Sequence, residues 1–181
     1  MPLTSQDIDI QVYDPYSDAD RIKKTIVNAD RRYFLKPSRR RKATYKILKC
    51  RLPGWHAYRR CVKVDILTSG TINLPPILAS DTPQINNIPG MPLFDLLIMK
   101  TQGWWHHRIS PRKDFQAKVK ADVVHADALL DRADEEGVEY EDEHAAFRHT
   151  YEFMEWALVL AHRFVRRHRR RGKWRVIGFP L

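Results

Sequence analysis

The stretch Asp7-Ile8-Asp9-Ile10-Gln11-Val12-Tyr13 alternates polar and apolar residues, the period-two pattern of a strand with one buried face. A second segment of this kind, Cys61-Val62-Lys63-Val64-Asp65-Ile66-Leu67, lies further along the chain. Side chains at i and i+2 leave a strand on the same face, so Asp7 and Asp9 point one way. Asp65 interrupts an apolar run, where a carboxylate belongs only on a solvated face or at a working site. If the two strands are neighbours, three carboxylates share one patch. Like charges that close call for a cation, and Mg²⁺ (or Mn²⁺) accepts one or two carboxylates together with water and substrate phosphates. Ions held there would activate a hydroxyl and offset the charge of a leaving pyrophosphate. An isolated Asp-x-Asp is ordinarily solvated surface; the third acid, inside a second apolar strand, gives this one its weight.

The elements between and beyond follow from local pattern. Asp14-Pro15 ends the first strand. Ser17 reads as a helix N-cap with Asp18 and Asp20 in the first turn, and Ile22, Ile26 and Val27 repeat at helical spacing, predicting a helix from 18 to about 30. Tyr33-Phe34-Leu35 is a brief strand before the basic turn Pro37 to Lys42, and Ala43 to Leu52 is another. The turn at Pro53-Gly54 predicts antiparallel pairing with the Cys61–Leu67 segment. The stretch 69–92 carries Pro75, Pro76, Pro83, Pro89 and Pro92 and reads as an extended connection. A helix opens at Leu93 and continues through Trp104, stopping before Pro111. A second spans Lys113 to about Asp134, with apolar residues at Ala117, Ala121, Val124, Ala128 and Leu129. A third runs from Ala145 to about His168, with Phe147, Tyr151, Met154, Leu158 and Phe164 near one face. The tail Trp174 to Phe179 is expected to cap the core. Strands first and helices second predict an α+β class: a small mixed or antiparallel sheet, then a helical C-terminal half.

The 181 residues suit one domain, read as a sheet region 1–68, a connection 69–92, a helical region 93–168 and a tail 169–181. No apolar run is long enough for a membrane span, and MPLTSQDIDIQ lacks the features of a secretory signal. With only Cys50 and Cys61 available, both are read as small core residues, and the expected setting is intracellular, cytoplasmic or nuclear. P-loop, GxSxG, HExxH and GxGxxG motifs are absent from the sequence.

The 32 Lys+Arg and 22 Asp+Glu, a formal charge of +10, are unevenly placed. Arg21 to Lys63 holds one acid, Asp30, among many cations, whereas Asp131 to Glu143 is acidic apart from Arg132. Arg39, Arg40 and Arg41, and the run Arg166, Arg167, Arg169, Arg170 and Arg171, are candidate nucleic-acid contacts, because such clusters condense on phosphate. Solvated surface is the ordinary reading of such blocks, and docking on the chain's own acidic segment is a third. The adjacent His106 and His107 diverge by about 100° on a helix, which argues against a shared ion.

Taken in order, Thr4-Ser5-Gln6-Asp7-Ile8-Asp9-Ile10, Ala43-Thr44-Tyr45-Lys46-Ile47-Leu48, Lys63-Val64-Asp65-Ile66-Leu67, Leu96-Leu97-Ile98-Met99-Lys100-Thr101-Gln102-Gly103-Trp104, Lys118-x-x-x-Asp122-Val123 and Trp174-x-x-Ile177-Gly178-Phe179 resemble the nucleotidyltransferase superfamily. The likeness is to fungal nucleotidyltransferase-like proteins akin to the toxins of bacterial abortive-infection systems, and it spans nearly the whole chain. It implies Asp7 and Asp9 as a metal pair, Asp65 as the third carboxylate and catalytic base, and Lys100 and Lys118 facing nucleotide phosphates, with Asp122 near them. It also implies a nucleoside triphosphate donor and a hydroxyl acceptor on RNA, protein or a small molecule. The sequence departs from the family in one respect. Superfamily members carry a helix and a Gly-Ser turn before the first Asp pair; here six residues precede Asp7, and no Gly-Ser occurs among them. The expectation is therefore an N-truncated form with a weakened triphosphate cradle; a catalytically silent, basic nucleic-acid-binding protein is the alternative.

Overall fold

The computed structural model describes residues 7–12, 18–39, 42–54, 60–68, 73, 75, 77–145 and 149–181. The chain divides into two compact units, Met1–Leu74 and Pro75–Leu181, with the boundary inside the proline-rich connection.

The first unit contains β1 (Asp7–Val12), α1 (Ala19–Ala29), β2 (Tyr33–Pro37), β3 (Lys46–Arg51) and β4 (Cys61–Thr68). Its sheet has the order β1-β4-β3-β2. β1 runs parallel to β4, while β3 is antiparallel to both β4 and β2. The mixed sheet matches the sequence expectation, and so does the antiparallel pairing across Pro53-Gly54. One face is apolar: Leu48, Val64 and Ile66 are buried, with Ile10, Val12, Leu35 and Cys50 beside them. Helix α1 covers this face with Ala19, Ile22, Ile26 and Val27, the stripe its periodicity predicts. Its N-cap is Asp18, one residue later than expected, whose carboxylate accepts the Asp20 N–H at 2.9 Å. The register offsets the two cysteines by one residue, pairing Cys50 with Val62 and Arg51 with Cys61. Cys50 therefore joins the core face while Cys61 is exposed on the other, and both are free thiols.

The second unit opens with a 3₁₀ turn at Ala79–Asp81 and a short hairpin, β5 (Gln84–Ile85) and β6 (Ile88–Pro89), within the stretch read as an extended connection. Asn86 and Asn87, both at positive φ, make its turn. Among the described residues, six helices follow: α2 (Leu93–Ile109), α3 (Lys113–Gln116), α4 (Val119–Glu135), α5 (Tyr140–Ala145), α6 (Tyr151–His168) and α7 (Arg171–Val176). Helix α2 is the centre of the unit, burying Phe94, Leu97, Ile98 and Trp104 against α4 and α6. Two of its buried polar groups find partners: the Thr101 hydroxyl donates to the Leu97 carbonyl at 2.8 Å, and Gln102 Oε1 accepts from Trp156 Nε1 at 2.7 Å.

The helix expected from Lys113 is broken at Ala117-Lys118 into α3 and α4, and its buried face differs from the one read in the sequence. Ala126, Leu130 and Ala133 point inward, whereas Val124 is 55% exposed. Helix α4 ends in a Schellman motif, with Val138 N–H on the Ala133 carbonyl and Gly137 N–H on that of Asp134. Gly137 sits at φ +65°, where a side chain would strain the backbone. The third helix starts at Tyr151 rather than Ala145, capped by the Thr150 hydroxyl; Tyr151 is 65% exposed, and Phe147 lies outside the described residues. Trp174, Ile177 and Phe179 are buried, so the tail caps this core as expected. Among the described residues, no helix is long and apolar enough to cross a membrane.

Candidate functional site

Alternation puts the neighbours of the buried residues on the sheet's second face, which carries most of its charged side chains together with Phe34, Ile47 and Leu67. Parallel pairing of β1 and β4 sets Asp7 opposite Lys63 and Asp9 opposite Asp65. Lys63 in turn faces Lys49 on β3. Asp7, Asp9 and Asp65 therefore lie on one face of two neighbouring strands, interleaved with Lys63 and Lys49. Asp9 is exposed on the outer strand; Asp7 is half-buried. The Asp65 side chain is 36% exposed and forms an ion pair with Lys63 two residues before it.

A groove of about 770 Å³ runs along this face and past the ends of β2 and β3. Asp7 and Asp65 line it together with Lys23, Lys36, Arg39, Lys46, Lys49 and Lys63. Lys23 is already engaged, 3.0 Å from Asp20 and 3.4 Å from the Lys46 carbonyl. Arg39 belongs to the groove as a candidate phosphate contact, whereas Arg40 and Arg41 lie outside the described residues. Sequence reasoning singled out neither Lys63 nor Lys49. The signal for Lys63 was present: at two residues before Asp65 on a strand, it shares that carboxylate's face.

The carboxylates share a face without forming a three-acid cage: among the described residues, no group of three or more His, Cys, Asp or Glu is placed to hold a metal ion. Mg²⁺ seldom uses such a cage, taking one or two carboxylates and completing its shell with water and ligand phosphates. Asp9 opposite Asp65 supplies hard oxygen donors of that kind. The donor chemistry thus fits a Mg²⁺ ion arriving with phosphates, once Lys63 leaves Asp65.

The remaining candidates belong to the helical unit. Lys100 is half-buried on α2. Lys118 is exposed where α4 begins, its ammonium 5.8 Å from the Phe115 ring centroid. Asp122 is paired with His107 Nδ1 at 2.7 Å, which gives that histidine a structural partner. The C-terminal basic run is divided. Arg166, Arg167 and Arg169 are exposed, whereas Arg170 turns to Asp127 at 3.1 Å and the nearby Lys173 to Asp131 at 2.6 Å. Arg171 opens α7. Part of the run thus docks on acids of the chain's own α4.

Compared with family models, curated proteins and solved structures, the chain matches none.

Proposed function

We propose that the chain is a nucleotidyltransferase-like protein whose sheet face binds the phosphates of a nucleoside triphosphate and passes the nucleotidyl group to a hydroxyl on RNA, protein or a small molecule. The observation that carries this reading is the register of Asp9 against Asp65 on parallel neighbouring strands, beside a groove rich in cations. Lys36, Arg39, Lys46 and Lys49 offset phosphate charge along the groove. Lys63 exchanges its ion pair with Asp65 for a phosphate oxygen, which frees the carboxylate. Asp65 then accepts the proton of the acceptor hydroxyl as that oxygen attacks the α-phosphorus. Asp9 and Asp65 would hold Mg²⁺, with Asp7 beside them on the same face, and the ion would supply charge neutralisation at the leaving pyrophosphate.

The test is label transfer from α-radiolabelled nucleoside triphosphates to RNA and protein acceptors, with and without Mg²⁺. The wild-type chain labels an acceptor, and Asp65→Asn lowers the rate by at least about 100-fold. Full labelling by Asp65→Asn rejects the assignment.

A second reading is favoured by the excess of cations over carboxylates in the same groove: a catalytically silent protein that binds nucleic acid. It predicts no label transfer at any metal concentration, together with an affinity for RNA that falls steeply as salt rises.

A further inference from the structure

The helical unit carries a groove of its own, of about 370 Å³, lined by Trp105 and Arg108 of α2 and by Arg163, Arg166 and Arg167 of α6. The Arg163 guanidinium lies 4.3 Å from the Trp105 ring centroid and 5.3 Å from that of Trp156. Arg108 lies 5.7 Å from Trp105 and 6.0 Å from Trp104. A guanidinium seated on a ring uses its flat face for the contact and keeps its N–H edge for a ligand. The Arg163 fork is therefore held between two rings before any anion arrives, while Arg108, Arg166 and Arg167 are exposed beside it.

These cations also stand apart from their neighbours. Among the described residues, no carboxylate pairs with Arg108, Arg163, Arg166 or Arg167, although Arg132, Arg170 and Lys173 of the same unit all have acidic partners. Like charges gathered without counter-ions repel each other. The C-terminal dipoles offset part of that repulsion, since Arg108 is in the last turn of α2 and Arg166 and Arg167 in the last turn of α6. The positive field extends to His168, whose imidazole is held below its usual pKa by burial first and by Arg167 next.

We infer that this groove binds successive phosphates of a single-stranded nucleic acid. Each arginine fork takes two oxygens, so four guanidiniums exceed what one phosphate offers and call for a ligand bearing several. The exposed rim does not enclose a ligand as small-molecule pockets do, which favours an extended strand over a free nucleotide. A hollow of this size also receives one flexible backbone more readily than a stiff duplex. The inference uses the helical unit alone and stands or falls apart from the proposal for the sheet.

The test is fluorescence anisotropy of a short labelled oligouridine with the full chain over a salt series. Arg163→Gln/Arg166→Gln/Arg167→Gln is expected to weaken binding by more than about tenfold and to reduce the salt slope by about 2. Lys113→Gln/Lys120→Gln/Arg175→Gln removes the same charge outside the groove and is expected to cost less than about threefold. Arg163→Lys keeps the charge but loses the planar fork; it is expected to weaken binding about threefold with the salt slope unchanged. Equal losses in the two triple variants would overturn the inference, as would no loss in either. Displacement of the oligouridine by polyglutamate or by ATP at matched charge, as effectively as by unlabelled strand, would overturn it too.

Discussion

The two units bury their side chains differently. In the sheet unit, Leu48, Val64 and Ile66 are the buried hydrophobic residues of a cluster completed by half-exposed neighbours. In the helical unit, Phe94, Trp104, Leu130, Leu160, Phe164, Trp174 and others form a continuous buried core. A four-stranded sheet covered by one helix has one buried apolar face, and its other face carries most of the charged side chains. The helical unit surrounds α2 on several sides and spends little of its sequence on that kind of surface. Burial is therefore concentrated in one unit, and the proposed nucleotidyl transfer sits on the other.

Substitutions can break this contrast. The largest expected effect is Trp104→Ala: the indole is fully buried, and its loss should cost about 3–5 kcal/mol. Chemical denaturation followed by helical circular dichroism checks it; a loss below about 1 kcal/mol would mean that the helical core is not the stronger one. Leu48→Ala is next, at about 2–5 kcal/mol against a cluster with little in reserve. Hydrogen exchange should show β3 and β4 amides losing protection while α2 and α6 keep theirs. A uniform loss across both units would contradict separate cores. Arg170→Ala removes a surface ion pair with Asp127 and should change stability by less than about 1 kcal/mol.

The smallest expected effect is a pH dependence. His168 is held below the ordinary histidine pKa, chiefly by burial and then by Arg167. Below about pH 6.5 the unfolded chain therefore takes up a proton that the folded chain resists, and this contribution to stability fades as pH falls through the folded pKa. Above about pH 6.5 the imidazole is neutral in both states and the contribution is constant. Arg167→Gln should move the His168 titration upward in NMR; a downward shift would contradict the field attributed to the arginines.

The sequence made some of these features readable and concealed others for physical reasons. Alternation in Asp7–Val12 and Cys61–Leu67 was enough to give both strands and to put the acids on one side of each. Their parallel pairing was not readable, because strand direction depends on what the chain does between them. Helix α4 misled because alanine and valine occur all round it. Ala117, Ala121, Val124, Ala128 and Leu129 form as good a helical stripe as Val119, Val123, Ala126, Leu130 and Ala133; packing selects the second and keeps Leu129 of the first against the core. The arginine groove was legible in part: Arg166 and Arg167 came from a visible charge run, but Arg108 and Trp105 join them only through the packing of α2 on α6.

The central claim concerns Asp9 and Asp65, and NMR line broadening by Mn²⁺ tests it most directly. In the presence of a non-hydrolysable nucleoside triphosphate, the amides of Asp7 to Asp9 and Lys63 to Asp65 should broaden first. Without the nucleotide the effect should be weak, because the protein alone presents too few ligands. Asp9→Asn/Asp65→Asn should abolish it. Broadening that spares β1 and β4, or that persists unchanged in the double variant, would contradict the account.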